Sequence, residues 1–351
     1  MRRYAIWGVA TSPEHEAWVR SIGAQFEADG FALVDDVADA DFVLNMFDPE
    51  DPKAFRRQAR GTYSASFYEL PAEPDDVLKT SYPMLVRTLA NVVVVRVPDT
   101  GVWFTTMERG TYRITDDPAD VFERLAPLAK SKLVIDNEFT ADLEPELWDG
   151  DEITADIGAA GKRMQELDLL PAPFPVHEYL DERDLRHVMR LYQVGGLSYG
   201  NLSARKDETR FWMSASGVDK SQLEQAGRDI LMVTGYDEPN AKMLISVPPG
   251  IEPRRVSVDA IEHWMIYQAH ADVGAILHVH AWIEGIAATD INYPCGTQEL
   301  AESVAELIDR EPDPSRAVIG LRNHGITATG ESLTEILDRI ESSILRQVPM
   351  T

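Results

Sequence analysis

Short apolar runs rich in β-branched and aromatic residues recur along the first third of this chain, and segments with helical spacing separate them. Tyr4 to Val9 predicts a buried strand, and Asn91 to Val97 contains four consecutive valines. Between them, Ser12-Pro13-Glu14 supplies an N-cap, a first-turn proline and an acidic first turn for a helix that reaches about Ala28. Strands that alternate with helices favour a mostly parallel sheet. The pattern predicts an α/β domain over residues 1–135, with further strands at 31–34 and 42–46 and a helix at 76–89.

The amino-terminal domain carries no recognisable nucleotide-binding or catalytic motif. Its first strand ends in Gly8-Val9-Ala10-Thr11-Ser12, whereas a dinucleotide site needs a glycine-rich turn at that point. We therefore expect this domain to serve packing or assembly and to perform no chemistry of its own.

An acidic, aperiodic stretch runs from Asp136 to Asp156. Asp149-Gly150-Asp151 is a turn signal, and three prolines end any helix near Leu170 (Pro171, Pro173 and Pro175). These features predict a connector over residues 136–175. The second domain is then expected over residues 176–351, and two domains suit a chain of 351 residues.

Net charge separates the classes of partner. The chain has 59 acidic and 33 basic side chains, a formal charge of −26. Such a surface repels phosphate backbones and anionic lipid, so we expect a small-molecule substrate and neither nucleic acid nor membrane. The single cysteine, Cys295, excludes an internal disulfide and has no basic neighbour along the chain that would make it a nucleophile. No long apolar run appears, and the cytoplasm is the expected compartment.

Two histidines stand at the end of an apolar strand-like run, Ala275 to His280. On a strand of period two, His278 and His280 leave from the same face while Leu277 and Val279 enter the core. Such a pair alone is equally typical of ordinary hydrogen-bonded histidines. A third imidazole, His324, follows another apolar run, Ala317 to Leu321. Three imidazoles would hold a divalent metal and leave positions open for water or substrate.

Five ordered motifs in the second half resemble the class II aldolase/adducin family: Gly200-Asn201-Leu202-Ser203, Ser214-Ala215-Ser216-Gly217-Val218, His278-Val279-His280, the run from Pro294 to Ala301, and Asn323-His324-Gly325 with Gly330. The resemblance implies a class II aldolase-like α/β/α domain with a central β-sheet. It also implies that His278, His280 and His324 bind zinc or a similar divalent ion (manganese, iron or cobalt). Family members usually form tetramers, so a homo-oligomer is expected.

The same resemblance implies a pocket for the terminal phosphate of a substrate, built by Asn201, Ser216 and Gly217. Glycine has a physical reason there, because it lets backbone amides approach an anion closely. The alternative is that Asn201 and Ser216 are plain turn formers. Only one serine, Ser257, stands where the aldolases have two, which predicts weaker phosphate binding or a carboxylate substrate.

The family's sugar-phosphate aldolases carry Ser-Ser-Glu nineteen residues before the first histidine, with the glutamate as acid/base. The same distance gives Ser257-Val258-Asp259 in this chain, so Asp259 takes that role by resemblance. The epimerase branch also has an aspartate at this place, but its late tyrosine has no match, since no tyrosine follows Thr329. Val258 to Ala271 is amphipathic and predicts a helix with Asp259 at its start. Glu262 is a second candidate, expected to be an exposed residue of that helix.

These features predict a metal-dependent lyase of the aldolase type, acting on a small hydroxy-carbonyl compound or sugar phosphate through a metal-stabilised enediolate. The alternatives are an epimerase or dehydratase of the same family. A non-catalytic adducin-like binding module is the alternative from another class, although adducin-type domains are expected to lack the three histidines.

Overall fold

The computed structural model describes residues 1–54, 63–106, 110–171, 174–191 and 199–351. Contacts divide the chain into two compact units. The first unit consists of Met1–Lys130, Phe174–Val188 and Met350–Thr351, and the second of Ser131–Pro173 and Met189–Pro349. Among the described residues, no helix has the length and apolar character that crossing a bilayer requires.

Helices and strands alternate along the first 130 residues, in the order β1 (Arg3–Gly8), α1 (Pro13–Ala28), β2 (Ala32–Leu33), β3 (Phe42–Met46), β4 (Tyr63–Glu69), α2 (Val77–Thr88), β5 (Val92–Val97), β6 (Gly101–Thr106), β7 (Gly110–Ile114) and α3 (Pro118–Lys130). The elements that follow are β8 (Asp136–Thr140), α4 (Glu152–Glu166), α5 (Val176–Tyr179), α6 (Glu182–Leu191), β9 (Asn201–Arg205), β10 (Phe211–Ser214), β11 (Ile230–Asp237), β12 (Lys242–Ser246), α7 (Ala260–Ala269), β13 (Ala275–Val279), α8 (Gln298–Arg310), β14 (Val318–Leu321), β15 (Gly325–Gly330) and α9 (Leu333–Ile340).

The first unit is built on a sheet of order β2-β1-β3-β4-β5-β6-β7. Its first five strands are parallel, whereas β6 and β7 are antiparallel additions at one edge. The prediction of a mostly parallel sheet is therefore confirmed. α1 begins as its sequence indicates, because Ser12 Oγ accepts the backbone N–H of His15 at 3.0 Å. Phe26 of this helix anchors an aromatic core with Tyr4, Phe42 and Phe122.

The second unit contains an eight-stranded sheet of order β14-β15-β13-β9-β10-β11-β12-β8. All its pairs are antiparallel except that between β12 and β8. α7 packs on one face, where its side chains meet Ser203 and Thr327. α9 lies on the other face, since a Cβ added at Gly330 would meet Ile336 of that helix. Helices on both faces of a central sheet match the predicted α/β/α arrangement.

The predicted connector over residues 136–175 needs correction. Most of it belongs to the second unit, where β8 pairs with β12 and α4 packs its apolar side into the core. The turn signal at Asp149-Gly150-Asp151 is real, but it precedes a helix: Asp151 is the N-cap of α4. The core residues of α4, among them Ile157, Ala160 and Met164, are separated by glycine, alanine and charged residues, so they give only a weak apolar pattern.

The second domain also differs from the prediction at its beginning. Residues 174–188 cluster with the first unit, where Phe174 packs edge-on against Tyr82 at 5.1 Å between ring centroids. The Gly200–Ser203 motif leads into β9 at Asn201, and residues 192–198 before it lie outside the described residues. The helix expected at 258–271 is α7, which spans Ala260–Ala269.

Candidate metal centre

β13 carries the first two histidines near the middle of the second sheet. The strand lies between β9 and β15, and all of its aliphatic residues are fully buried. A slip of one residue would turn every side chain to the other face and put His278 in the place of an aliphatic residue, so packing fixes the register. His278 lies on the strand, His280 follows its last residue, and their rings stand 5.1 Å apart between centroids. The pair predicted from sequence alternation therefore shares one end of the strand.

His324 reaches the same place from a tight turn between β14 and β15. The backbone N–H of His324 donates to the carbonyl of Leu321 at 2.9 Å, which closes the turn. Asn323 takes a left-handed conformation with φ of 55°, one that asparagine tolerates better than most residues. Gly325 is required by space, because a Cβ there would lie 2.2 Å from the carbonyl oxygen of Val279. This close approach of two strands brings His324 to the histidine pair.

The three histidines converge with the geometry of a metal site. One ligand nitrogen from each lies within 4.8 Å of the others, and the Nε2 atoms of His280 and His324 are 3.2 Å apart. Two nitrogens bound to one tetrahedral zinc ion, at Zn–N distances of about 2.0–2.1 Å, are themselves about 3.3 Å apart. All three side chains are buried, with exposed fractions of 6% or less. The residues present therefore fit a divalent ion.

The tautomer of His278 suits this role. Its Nδ1 lies 3.1 Å from the carbonyl oxygen of Ile326, which can only accept. Nδ1 must then carry the proton, and Nε2 presents its lone pair on the other side of the ring. A backbone carbonyl that orients a ligating histidine in this way also raises its basicity.

A row of side chains crosses three strands at His278. His278 pairs with Asn201 of β9 on one side and with Thr327 of β15 on the other. Residues directly opposite one another in antiparallel strands project from the same face. Asn201 Nδ2 donates to Asp259 Oδ2 at 2.8 Å, and Thr327 Oγ1 donates to Glu262 Oε1 at 2.6 Å. Two carboxyl groups of α7 are thus held on either side of the histidine strand.

Asp259 occupies the predicted position at the start of the helix, where it is the N-cap residue of α7 and 6% exposed. The prediction that Glu262 is exposed is wrong, because only 2% of its surface is accessible. Burial raises the pKa of Glu262 to about 8, with a further contribution from the neighbouring charge of Asp259. The sequence suggested exposure because Glu262 is charged; its contacts on the sheet cannot be read from the helix alone.

Lys220 is a charged residue of this region that the sequence analysis missed. It lies in the turn after Ser216 and Gly217 and is only 4% exposed. Burial lowers the pKa of the Lys220 ammonium to about 8, and the charges of Asp259 and Asp219 oppose that shift. Lys220 thus brings a positive charge toward Asp259. A lysine among exposed-looking residues such as Asp219 and Ser221 gives no local signal of burial.

Behind the carboxyl groups, α7 is tied to β9 by a polar cluster. Ser203 Oγ lies 2.7 Å from His263 Nδ1 and 2.8 Å from the hydroxyl of Tyr267. Burial lowers the pKa of His263 to about 3, and the proximity of His278 adds to the effect. His263 is therefore a neutral residue that positions the helix.

The predicted anion-binding residues fall into two groups. Ser216 and Ser257 lie in adjacent segments of the backbone. The N–H of Ser216 donates to the carbonyl oxygen of Arg255 at 2.8 Å, and the N–H of Ser257 donates to that of Ser214 at 3.2 Å. Gly217 has φ of 69°, a conformation that favours glycine. Asn201 instead uses its amide N–H on Asp259, while its Oδ1 accepts no hydrogen bond from any residue that the structure describes.

Cys295 has no basic neighbour in its local sequence, but the fold places it beside the histidines. Its Sγ is 3.2 Å from Nε2 of His324. The contact spans 29 residues of chain, so it depends on the fold. The structure thereby adds a thiol to the surroundings of the predicted metal ligands.

Comparison with known proteins identifies the second half of the chain. A family model described as the Class II Aldolase and Adducin N-terminal domain matches residues 185–289 and 283–343. The match covers the strands and turns that carry all three histidines and both α7 carboxyl groups. The carboxy-terminal half is therefore a class II aldolase/adducin-type domain, as its motifs predict.

Curated relatives share this domain at low identity. A methylthioribulose-1-phosphate dehydratase of Leptospira biflexa is 27% identical over 140 residues, which are 38% of this chain and 63% of that protein. An L-fuculose phosphate aldolase of Methanococcus maripaludis is 30% identical over 108 residues, 24% of this chain and 54% of that protein. The chain thus spans less than two thirds of the length of either relative.

Solved structures with a similar fold include an L-fuculose 1-phosphate aldolase, with a TM-score of 0.37 and 18% identity over 55% of this chain and 84% of that one. Another is an aldolase II superfamily protein from Pseudomonas syringae, with a TM-score of 0.38 and 18% identity over 57% of this chain and 75% of that one.

Proposed function

We propose that this protein is a metal-dependent lyase that acts on a small hydroxy-carbonyl compound, such as a sugar phosphate. The observation that carries the proposal is the convergence of three buried imidazoles close to a buried carboxyl group that an amide holds in place. The names of the two curated relatives, an aldolase and a dehydratase of phosphorylated sugars, support the same class.

His278, His280 and His324 would hold the ion, and zinc suits an all-imidazole ligand set. When bound, a divalent cation supplies Lewis acidity toward the carbonyl oxygen of a substrate. The other residues manage protons and charge. Asp259 is the proposed acid/base, because a carboxylate at a helix start can take a proton from a bound substrate and return it. Asn201 fixes the orientation of that carboxylate, and Lys220 brings a positive charge near it.

The anion pocket remains part of this proposal. Ser216, Gly217 and Ser257 would bind the substrate's phosphate or carboxylate through hydroxyl groups and backbone amides. Asn201 uses its Nδ2 on Asp259, and its Oδ1 can accept a hydrogen bond from a hydroxyl group of the substrate but cannot bind the anion. Homo-oligomeric assembly as a tetramer and a cytoplasmic location stay predictions.

A non-catalytic adducin-like module is the rival from another class. The buried acid/base candidate argues against it, because burying Asp259, Glu262 and Lys220 together lowers stability, and a scaffold gains nothing in return.

Turnover by one variant tests the proposal. The zinc-loaded protein is assayed with a panel of phosphorylated and carboxylated β-hydroxy ketones, before and after Asp259→Asn. We expect the variant to keep its metal and its fold but to lose about 10²–10⁴-fold in turnover, the usual contribution of general acid/base catalysis. Exposed Asp309→Asn serves as the control and should be silent. A fully active Asp259→Asn protein would refute the role of Asp259, and no turnover by the wild type would refute the lyase.

A further inference from the structure

We infer that Glu262 is held as a neutral carboxylic acid and acts as the proton donor opposite the Asp259 base, which assigns the site to elimination of water from its substrate. This inference rests on the proposed function, which leaves carbon–carbon cleavage and dehydration open, and it chooses between them.

The two carboxyl groups of α7 share one side of the helix, being three residues apart. They contact the two strands that flank the strand of His278: Asp259 accepts a hydrogen bond from Asn201 of β9, and Glu262 accepts one from Thr327 of β15. Glu262 is buried as deeply as the histidines themselves. The pair therefore faces the same row of side chains as the candidate metal ligand.

The surroundings of the two groups differ in charge. Asp259 receives an amide N–H from Asn201 and lies in the field of the Lys220 ammonium. Glu262 accepts one neutral hydroxyl, that of Thr327, and its Oε2 makes no hydrogen bond with any residue that the structure describes. The other titratable groups nearby are Asp259, which repels a second negative charge, His263, which burial keeps neutral, and His278, which pairs with Thr327 across the strands. One ammonium and two carboxyl groups thus favour a single negative charge on the pair, located on Asp259.

A base and an acid with separated pKa values are what β-elimination requires. Asp259 removes the proton from the carbon next to the carbonyl, and that electron pair forms a carbon–carbon double bond. The C–O bond of the β-hydroxyl breaks, and the hydroxide leaves as water with the proton of Glu262. Asp259 then returns its proton to Glu262, which restores both groups and leaves an unsaturated carbonyl product. Aldol cleavage would need only one group that cycles between base and acid.

The protonation of Glu262 can be tested without any substrate, through the linkage between pH and stability. The group keeps its proton in the folded protein up to pH of about 8, whereas an unfolded glutamate ionises near 4.5. Wild-type stability therefore falls as pH rises through this window, because the unfolded state has released a proton that the folded state retains. Glu262→Gln is neutral throughout, so its Tm relative to wild type should climb between these two values. Exposed Glu306→Gln, the matched control, should give a flat difference.

A flat Tm difference for Glu262→Gln would overturn the inference, because it would mean that Glu262 is ionised in the folded protein. The products provide the second readout, with mass spectrometry of β-hydroxy ketone phosphates after incubation with zinc-loaded protein. We expect the wild type to form a product that has lost water. In Glu262→Gln the rate of dehydration should fall by at least about 10²-fold, and the alkaline limb of the wild-type pH–rate profile should be absent. Fragments in place of a dehydrated product, or unchanged dehydration by Glu262→Gln, would refute the donor role while leaving the lyase proposal intact. Absence of any turnover in wild type would remove both.

Discussion

At the scale of single residues, the site depends on close backbone approach as much as on its histidines. Gly325 and Gly200 both press against β13: a Cβ at Gly325 would meet the carbonyl oxygen of Val279 at 2.2 Å, and one at Gly200 would meet that of His278 at 2.5 Å. These contacts involve backbone atoms, which cannot rotate away. A side chain at either glycine must therefore move the strand that carries the metal ligands.

Gly325→Ala is the corresponding prediction. Displacement of β13 at Val279 and His280 should weaken zinc binding by about 10- to 100-fold, as loss of supporting contacts around a metal site typically does. Gly285→Ala is the control, since a Cβ at Gly285 meets nothing within 4 Å and only its positive φ of 79° is strained. Competition with a chromophoric chelator measures both affinities. Equal affinities for the two variants would mean that the strand approach does not set the ligand geometry.

At the scale of elements, α7 joins the chemistry to the sheet. Asp259 and Glu262 lie at its start, and His263 and Tyr267, one turn apart, share the hydroxyl of Ser203. The whole helix is therefore held by polar contacts to β9 and β15. The stability of this cluster should determine how rigidly Asp259 and Glu262 are held in the site.

Ser203→Ala tests the cluster. The substitution leaves His263 and Tyr267 buried without their shared partner, and it should lower the free energy of unfolding by about 1–3 kcal/mol. Thr209→Ala removes an exposed hydroxyl that bonds only Asp207 and should change stability by less than about 0.5 kcal/mol. Denaturant titration measures both. Equal effects of the two substitutions would show that the cluster adds nothing to the attachment of α7.

The elements that sequence predicts well are those whose signal is local. The valine run of β5, the cap of α1 and the alternation around His278 each lie within a few residues, and the structure confirms them. α4 was hidden because its core residues are sparse and their partners lie elsewhere in the chain. The burial of Glu262 and the contact of Cys295 with His324 likewise depend on pairings across 65 and 29 residues. Local sequence patterns can therefore identify the candidate metal ligands, whereas the residues that surround them are brought together only by the fold.

At the scale of the whole molecule, the match to the class II aldolase/adducin family begins at residue 185, ends at residue 343 and includes every predicted site residue. A packing or assembly role for the first unit stays a prediction. The formal charge of −26 belongs mainly to exposed side chains, which disfavour anionic partners. Three of the buried charged residues, Lys220, Asp259 and Glu262, lie around the histidines, so the electrostatics of the site differ from those of the surface.

The zinc content of the purified protein tests the central claim most directly. After loading and removal of excess metal, we expect close to one zinc ion per chain in the wild type. His280→Ala should lose most of the zinc, because it removes one of three converging ligands while leaving β13 in place. His187→Ala, which changes an exposed histidine of α6, should retain all of it. Substoichiometric zinc, manganese, iron and cobalt in the loaded wild type, or full zinc occupancy in His280→Ala, would contradict the assignment of a metal centre to His278, His280 and His324.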